Sequence, residues 1–212
     1  MKKILMSLII AGSILGCKKA PKKPAESQQD STHVQQKVSG ETQKDDNRKE
    51  AITQLNKEIL EILKNKQYHK LSAYIHPEKG ITFSMYAFIS PQEDKHFSRA
   101  EFEKYLPTKT LFTWGAMDGS GDLYKASISD YLSKWVYCKD FTTGKLTYNE
   151  FGVVGNSLNN LREIYKNADF TENYIKPPDE EHPMDWNTLR MVFEPYQGKY
   201  YLIAIINDQW TI

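Results

Sequence analysis

The stretch that decides the fold is Thr188–Ile212, TLRMVFEPYQGKYYLIAIINDQWTI. From Thr188 to Glu194 the side chains alternate: Leu189, Met191 and Phe193 on one face, Arg190, Val192 and Glu194 on the other. Period-two alternation of β-branched and aromatic residues is a strand signature. Pro195–Lys199, with Gly198, reads as a hairpin connection. Tyr200–Ile206 is apolar on both faces, as in a strand covered on both sides or bent around a core, and Asn207–Ile212 stays strand-like through Trp210 and Ile212. The chain therefore closes on a long antiparallel hairpin.

At the front of the same domain the period changes. In Arg48–Lys66, Ile52, Leu55, Ile59, Ile62 and Leu63 recur at three- and four-residue spacings, with Leu60 widening the stripe. Lys, Glu, Gln and Asn occupy the opposite face. This predicts an amphipathic helix. A short helix over Tyr68–Ile75 follows, ended by His76-Pro77 because the residue before proline disfavours helical backbone. Between these ends, Thr82–Ile89 and Lys109–Gly115 read as strands. Ser98 with Glu101 forms a capping box for a helix over Arg99–Leu106. A helix runs from Ser127 or Ser129 to about Cys138. Thr147–Val154, a helix over Leu158–Tyr165, a strand over Ala168–Ile175 and a loop over Lys176–Pro183 complete the reading. The expected class is α+β: N-terminal helices packed on a curved, mostly antiparallel sheet ending in a long C-terminal hairpin.

Outward to the N-terminus, Lys18–Asn47 is rich in Lys, Gln, Ser, Asp, Glu and Pro and has no aromatics. Such a segment buries too little apolar surface to offset the entropy of ordering it, so it reads as a disordered tether; the alternative, a helical leader through Val34–Val38, lacks a supporting apolar stripe. Ahead of it stand Lys2 and Lys3 and the apolar run Ile4–Leu15, too short to span a bilayer permanently and suited to a signal peptide. The run ends at Ile14-Leu15-Gly16-Cys17, which resembles the lipobox of bacterial lipoproteins. That resemblance implies cleavage before Cys17, diacylglycerol on the Cys17 thiol, and stable anchoring by several acyl chains. The expected organisation is a signal peptide over 1–16, lipidated Cys17 and tether over 17–47, and one domain over 48–212. The expected address is the cell envelope, lipid-anchored on the non-cytoplasmic side. No Asp follows Cys17, so the inner-membrane retention signal of some Gram-negative lipoproteins is absent.

Charge is nearly balanced, with 28 Lys and Arg against 27 Asp and Glu. No basic face is implied, and nucleic acid is not an expected partner. Of 2 cysteines, Cys17 is assigned to lipid. Cys138 is then alone, excluding an intramolecular disulfide; an odd thiol in an exported protein can pair between chains or react, but its place in the apolar-periodic segment Tyr131–Cys138 favours a small buried apolar residue. No cofactor or metal motif is present, and no cofactor or metal is expected. Asp118-x-Ser120-x-Asp122 has the opening of a calcium loop without its glycine or distal Glu.

The opening helix, KNKQYHKLSAYIHPEKGI (64–81) and the closing LRMVFEPYQGKYYLIAIINDQWTI (189–212) together resemble the cone-shaped α+β superfamily of nuclear transport factor and the ketosteroid isomerases. HPEKGITFS, TWGAMDGSG, GNSLNN and DWNTLRMVFE with WTI look like an uncharacterised group of bacterial lipoproteins, a likeness covering most of Arg48–Ile212. The first likeness implies a helix pair in a bent sheet with an open cone. Neither assigns a catalytic residue to this chain.

Candidate site residues are therefore read from chemistry. His76, after a helix and before Gly80, has the pKa range of a general base or the geometry of a turn staple. Trp114 stands near Asp118. Asp185, Trp186 and Arg190, with Asp208 and Trp210, place acids beside indoles near the ends of the final hairpin. Such sets bind sugars by stacking and hydrogen bonding, or form a core of indoles and paired charges. The expected function is a ligand- or partner-binding module, its partner a small molecule, a glycan or an envelope protein. The alternatives are a small-substrate enzyme with a cone pocket and a purely structural envelope component.

Overall fold

The computed structural model describes residues 32–152 and 155–212, and side chains from residue 43 onward. The signal peptide, Cys17 and the first part of the tether lie outside the described residues, as do Val153 and Val154. In chain order the elements begin with α1 (Thr32–Lys64), a 3-10 turn (Tyr68–Tyr74), β1 (Ile81–Ser84), β2 (Lys95–Phe97) and α2 (Arg99–Tyr105). Then come β3 (Phe112–Ala116), β4 (Leu123–Ala126), α3 (Ile128–Tyr131) continued by a π-helical turn (Leu132–Val136), and β5 (Lys145–Tyr148). The chain ends with α4 (Leu161–Ile164), β6 (Asp169–Ile175), β7 (Asn187–Tyr196) and β8 (Lys199–Gln209). Among the described residues no helix is long and apolar enough to cross a membrane.

The fold is α+β. Six strands form one sheet in the order β2-β1-β8-β7-β6-β5, in which only the β1–β8 pairing is parallel; β3 and β4 form a separate hairpin. The sheet is centred on β7–β8, paired from Asn187↔Gln209 to Tyr196↔Lys199. Gln197 and Gly198 both have positive φ, 48° and 79°. Two such residues match the connection to the right-handed twist of the strands. A register shift at Val192/Phe193 leaves Ile203 as an extra residue in β8. The bulge lets Ile203 and Ala204 share one face while Leu202 and Ile205 serve the other.

Both faces of the sheet are covered. On the first, Leu189, Met191, Phe193, Leu202 and Ile205 meet Ile52, Ile59, Leu60 and Leu63 of α1, with Phe83, Trp114 and Tyr131. On the second, Phe170, Val192, Ala204 and Ile206 meet Leu161 and Ile89, with Phe151 and Tyr165 at the margin. This second layer explains why β8 is apolar in both directions. Ser98 and Glu101 complete the capping box of α2, and Ser127 accepts from Asp130 N to open α3.

Several boundaries differ from those read in the sequence. α1 begins at Thr32, so residues 32–47, assigned by composition to the tether, are helical. Lys, Gln and Glu are good helix formers, and extending an existing helix avoids the cost of nucleation. β1 stops at Ser84, where the Ser84 hydroxyl donates to the carbonyls of Tyr86 and Phe88 and turns the chain. The strand read at 109–115 occupies Phe112–Ala116, and β5 ends at Tyr148. Cys138 is exposed, not buried: it follows the π-helical turn, which carries it off the apolar face. Its thiol is held above the ordinary value by desolvation, so it is not an activated thiolate. Asn56 is 1% exposed and belongs to the core face of α1, not to the polar face.

Candidate functional site

The sequence-selected residues fall in separate places. His76 is 2% exposed. Its Nδ1 accepts the backbone N–H groups of Glu78 at 3.2 Å and Lys79 at 3.0 Å, and its ring meets Tyr196 and Tyr201 edge-on. Burial lowers its pKa. These contacts make it a staple for the Pro77–Gly80 turn. Gly80 has φ 66°, and a Cβ there would come 2.2 Å from the Phe97 carbonyl oxygen.

Trp114 lies in the first core, donating Nε1–H to the Ala126 carbonyl at 3.0 Å and stacked on Tyr131 at 3.6 Å. Asp118 is exposed; its Oδ2 accepts the Ile212 N–H at 2.7 Å, tying the β3–β4 turn to the chain end. Asp185 is exposed and Trp210 half-exposed. Among the described residues no group of three or more His, Cys, Asp or Glu is placed to hold a metal.

Arg190, Asp208 and Trp186 do come together, on the second face of the sheet. Arg190 Nε–H donates to Glu172 Oε2 at 2.7 Å and Nη2–H to Asp208 Oδ2 at 2.8 Å. Glu172 faces Arg190 in register, while Asp208 pairs with Thr188 and so lies diagonally from Arg190 on the same face. The Gly152 N–H donates to Glu172 Oε1, and the guanidinium lies 5.3 Å from the centre of the Phe151 ring. Gly155 packs flat against Trp186, where a Cβ would approach the indole to 2.7 Å. All three charged groups are at most 3% exposed. Burial raises the Asp208 pKa although Arg190 opposes it. The cluster is closed over, and its mutual pairing offsets part of the cost of burying the charges.

An open recess lies on the other face, between α1 and the β5–β6 edge. It is a cavity of about 360 Å³ lined by Asn56, Lys57, Leu60, Glu61, Phe141, Thr142, Gly144, Leu146 and Asn173. The position follows from how α1 is held to β6. Arg48 Nη2–H donates to Asp169 Oδ1 at 2.8 Å, and Tyr148 and Asn149 donate to the same oxygen. Two turns on, Asn56 and Asn173 exchange reciprocal amide hydrogen bonds of 2.9 Å. Thr171 donates to Asn56 Oδ1 at 2.7 Å, and Asn173 donates to the Leu189 carbonyl at 3.1 Å. Polar contacts from Arg48 and Asn56 therefore seat the second half of α1 on β6, and the cavity lies beside them, at Asn56 and Leu60.

Leu60, Phe141 and Leu146 give the cavity an apolar part, the Asn56–Asn173 amide pair a buried polar part, and Lys57, Glu61 and Thr142 further polar groups; the Thr142 hydroxyl donates to the Asp140 carboxylate and accepts from Lys64. Such a lining can hold and orient a small ligand. None of the eight sequence-selected residues lines it. The signal that points to it is Asn56, a polar residue interrupting the apolar stripe between Ile52 and Ile59. No family model matches the chain, and no curated protein matches it.

Proposed function

We propose that this chain is a lipid-anchored cell-envelope protein whose folded domain binds a small ligand in the cavity between α1 and the β5–β6 edge. The carrying observation is that cavity: about 360 Å³, with buried apolar walls at Leu60 and Phe141 and a floor at Asn56 and Asn173. Its volume is in the range of small-molecule sites. The address rests on the run Ile4–Leu15 ending at Gly16-Cys17. A catalytic role finds no support at His76, whose Nδ1 is engaged by two backbone donors.

The two halves are tested together. Wild-type chain is expected to take up radiolabelled palmitate and to fractionate with membranes, and Cys17→Ser to do neither. The chain from Lys18 to Ile212, which keeps every described residue, is expected to gain thermal stability with at least one member of a small-molecule panel. Leu146→Trp, which fills the cavity, is expected to lose that gain. Labelling of Cys17→Ser sinks the address; an unchanged ligand response in Leu146→Trp sinks the site.

A further inference from the structure

We propose that the ligand of this cavity is uncharged and presents a hydrogen-bond donor and acceptor side by side on an apolar body, as a carboxamide does. The inference rests on the cavity being the binding site and goes on to name what it selects.

The selectivity is written in the Asn56–Asn173 pair. The Leu189 backbone carbonyl accepts from the Asn173 side chain, and only the amide nitrogen can make that bond. This fixes the Asn173 amide, and the reciprocal pairing then fixes Asn56. Two amides joined in this way have two free edges. One edge is spent: Asn56 Oδ1 takes the Thr171 hydroxyl, and Asn173 Nδ2 gives its second hydrogen to Leu189. The other consists of the second N–H of Asn56 Nδ2 and the second lone pair of Asn173 Oδ1, 2.9 Å apart and without a further partner among the described residues.

Register shows which way the unspent edge faces. Asn173 pairs with Leu189 of β7 on one side and Leu146 of β5 on the other. Its Nδ2 reaches toward β7, so Oδ1 is turned toward β5. That is the side on which Leu146, Phe141 and Gly144 line the cavity. Asn56 and Asn173 are 1% and 2% exposed, so the edge is desolvated. A desolvated donor–acceptor pair prefers a partner that satisfies both atoms and penalises one that satisfies neither. A carboxamide answers both with one planar group. A carboxylate has no proton for Asn173 Oδ1 and would share the cavity with the Glu61 carboxylate. Leu60, Phe141 and Leu146 then receive the apolar remainder.

The test is titration of the Lys18–Ile212 chain with benzamide, benzoate and toluene, followed by NMR on the side-chain NH2 groups and the leucine methyls. Benzamide is expected to move the Asn56 NH2 resonances and the Leu60 and Leu146 methyls, and to bind at least about tenfold more tightly than toluene or benzoate. Leu146→Trp is expected to abolish these shifts. If toluene binds as tightly as benzamide and moves the same methyls, the cavity stands as a site and the amide edge is overturned. If benzoate binds more tightly than benzamide, a cation lining the cavity selects the ligand and the amide edge is again overturned. If no probe moves any of these resonances, the binding site and the inference both fall.

Discussion

At the scale of single residues, a half-buried carboxyl and a buried imidazole give the fold opposing responses to pH. Burial pushes the Asp94 carboxyl up to about 6. Its Oδ2 accepts the Ser90 N–H at 3.0 Å. A carboxyl raised above its unfolded value favours folding when protonated. That contribution is complete below about pH 4 and lost as the pH climbs through about 6. Asp94→Asn keeps the acceptor and removes the charge. It is expected to raise the melting temperature by about 2–4 °C at pH 8, an effect near 1 kcal/mol after discounting for partial exposure, and to leave it unchanged at pH 4. Thermal unfolding at the two pH values checks this; destabilisation at pH 8 contradicts it. His76 has the opposite sign. Protonation at Nδ1 would break two backbone hydrogen bonds, so its folded value lies below its unfolded one. Its stabilisation is complete above about pH 6.5 and lost as the pH falls through the folded value. An NMR titration of the His76 ring is expected to have its midpoint below about 6.5; a midpoint above that contradicts the staple.

At the scale of elements, the segment between β5 and β6 shows what a polar motif can do without being a site. In Gly155-Asn156-Ser157-Leu158-Asn159-Asn160, Asn160 clamps Ile89 with both ends of its amide, accepting its N–H at 2.8 Å and donating to its carbonyl at 2.9 Å. Asn156 clamps Thr211 in the same manner, donating to its carbonyl and accepting its N–H, while the Ser157 hydroxyl meets the Thr211 hydroxyl at 3.0 Å. These clamps press the covering segment onto the second sheet face. Asn160→Ala is expected to cost about 2 kcal/mol in urea unfolding with an unchanged m-value, because the backbone groups of Ile89 lose both partners. A loss below about 0.5 kcal/mol contradicts the clamp. The β7–β8 hairpin was legible because alternation and turn chemistry agree along it, although β8 ends at Gln209 and Trp210–Ile212, read as strand-like, lie beyond it. β2 and β4 were not, being three and four residues long and formed only because β1 and β3 lie beside them. Asn56 was placed on the wrong face because polarity alone assigns an asparagine to solvent. Its partners Thr171 and Asn173 are more than a hundred residues away. The Glu172–Arg190–Asp208 cluster was half legible: acids, indole and Arg190 were singled out together, while Glu172 stood in a strand with no marker to distinguish it.

At the scale of the molecule, a sheet covered on both faces leaves its candidate site where coverage fails, at the β5–β6 edge beyond the amide clamp. The same clamp that seats α1 forms the floor of the cavity, so stability and recognition draw on one set of atoms. On the proposed reading, a lipid at Cys17 holds this domain at the envelope, where it meets its ligand. The most direct measurement is a crystal structure of the Lys18–Ile212 chain grown with benzamide. The account predicts the ligand between Leu60, Phe141 and Leu146, its amide oxygen on Asn56 Nδ2 and its amide nitrogen on Asn173 Oδ1. A recess filled by the protein's own side chains, or benzamide bound only elsewhere, would contradict it.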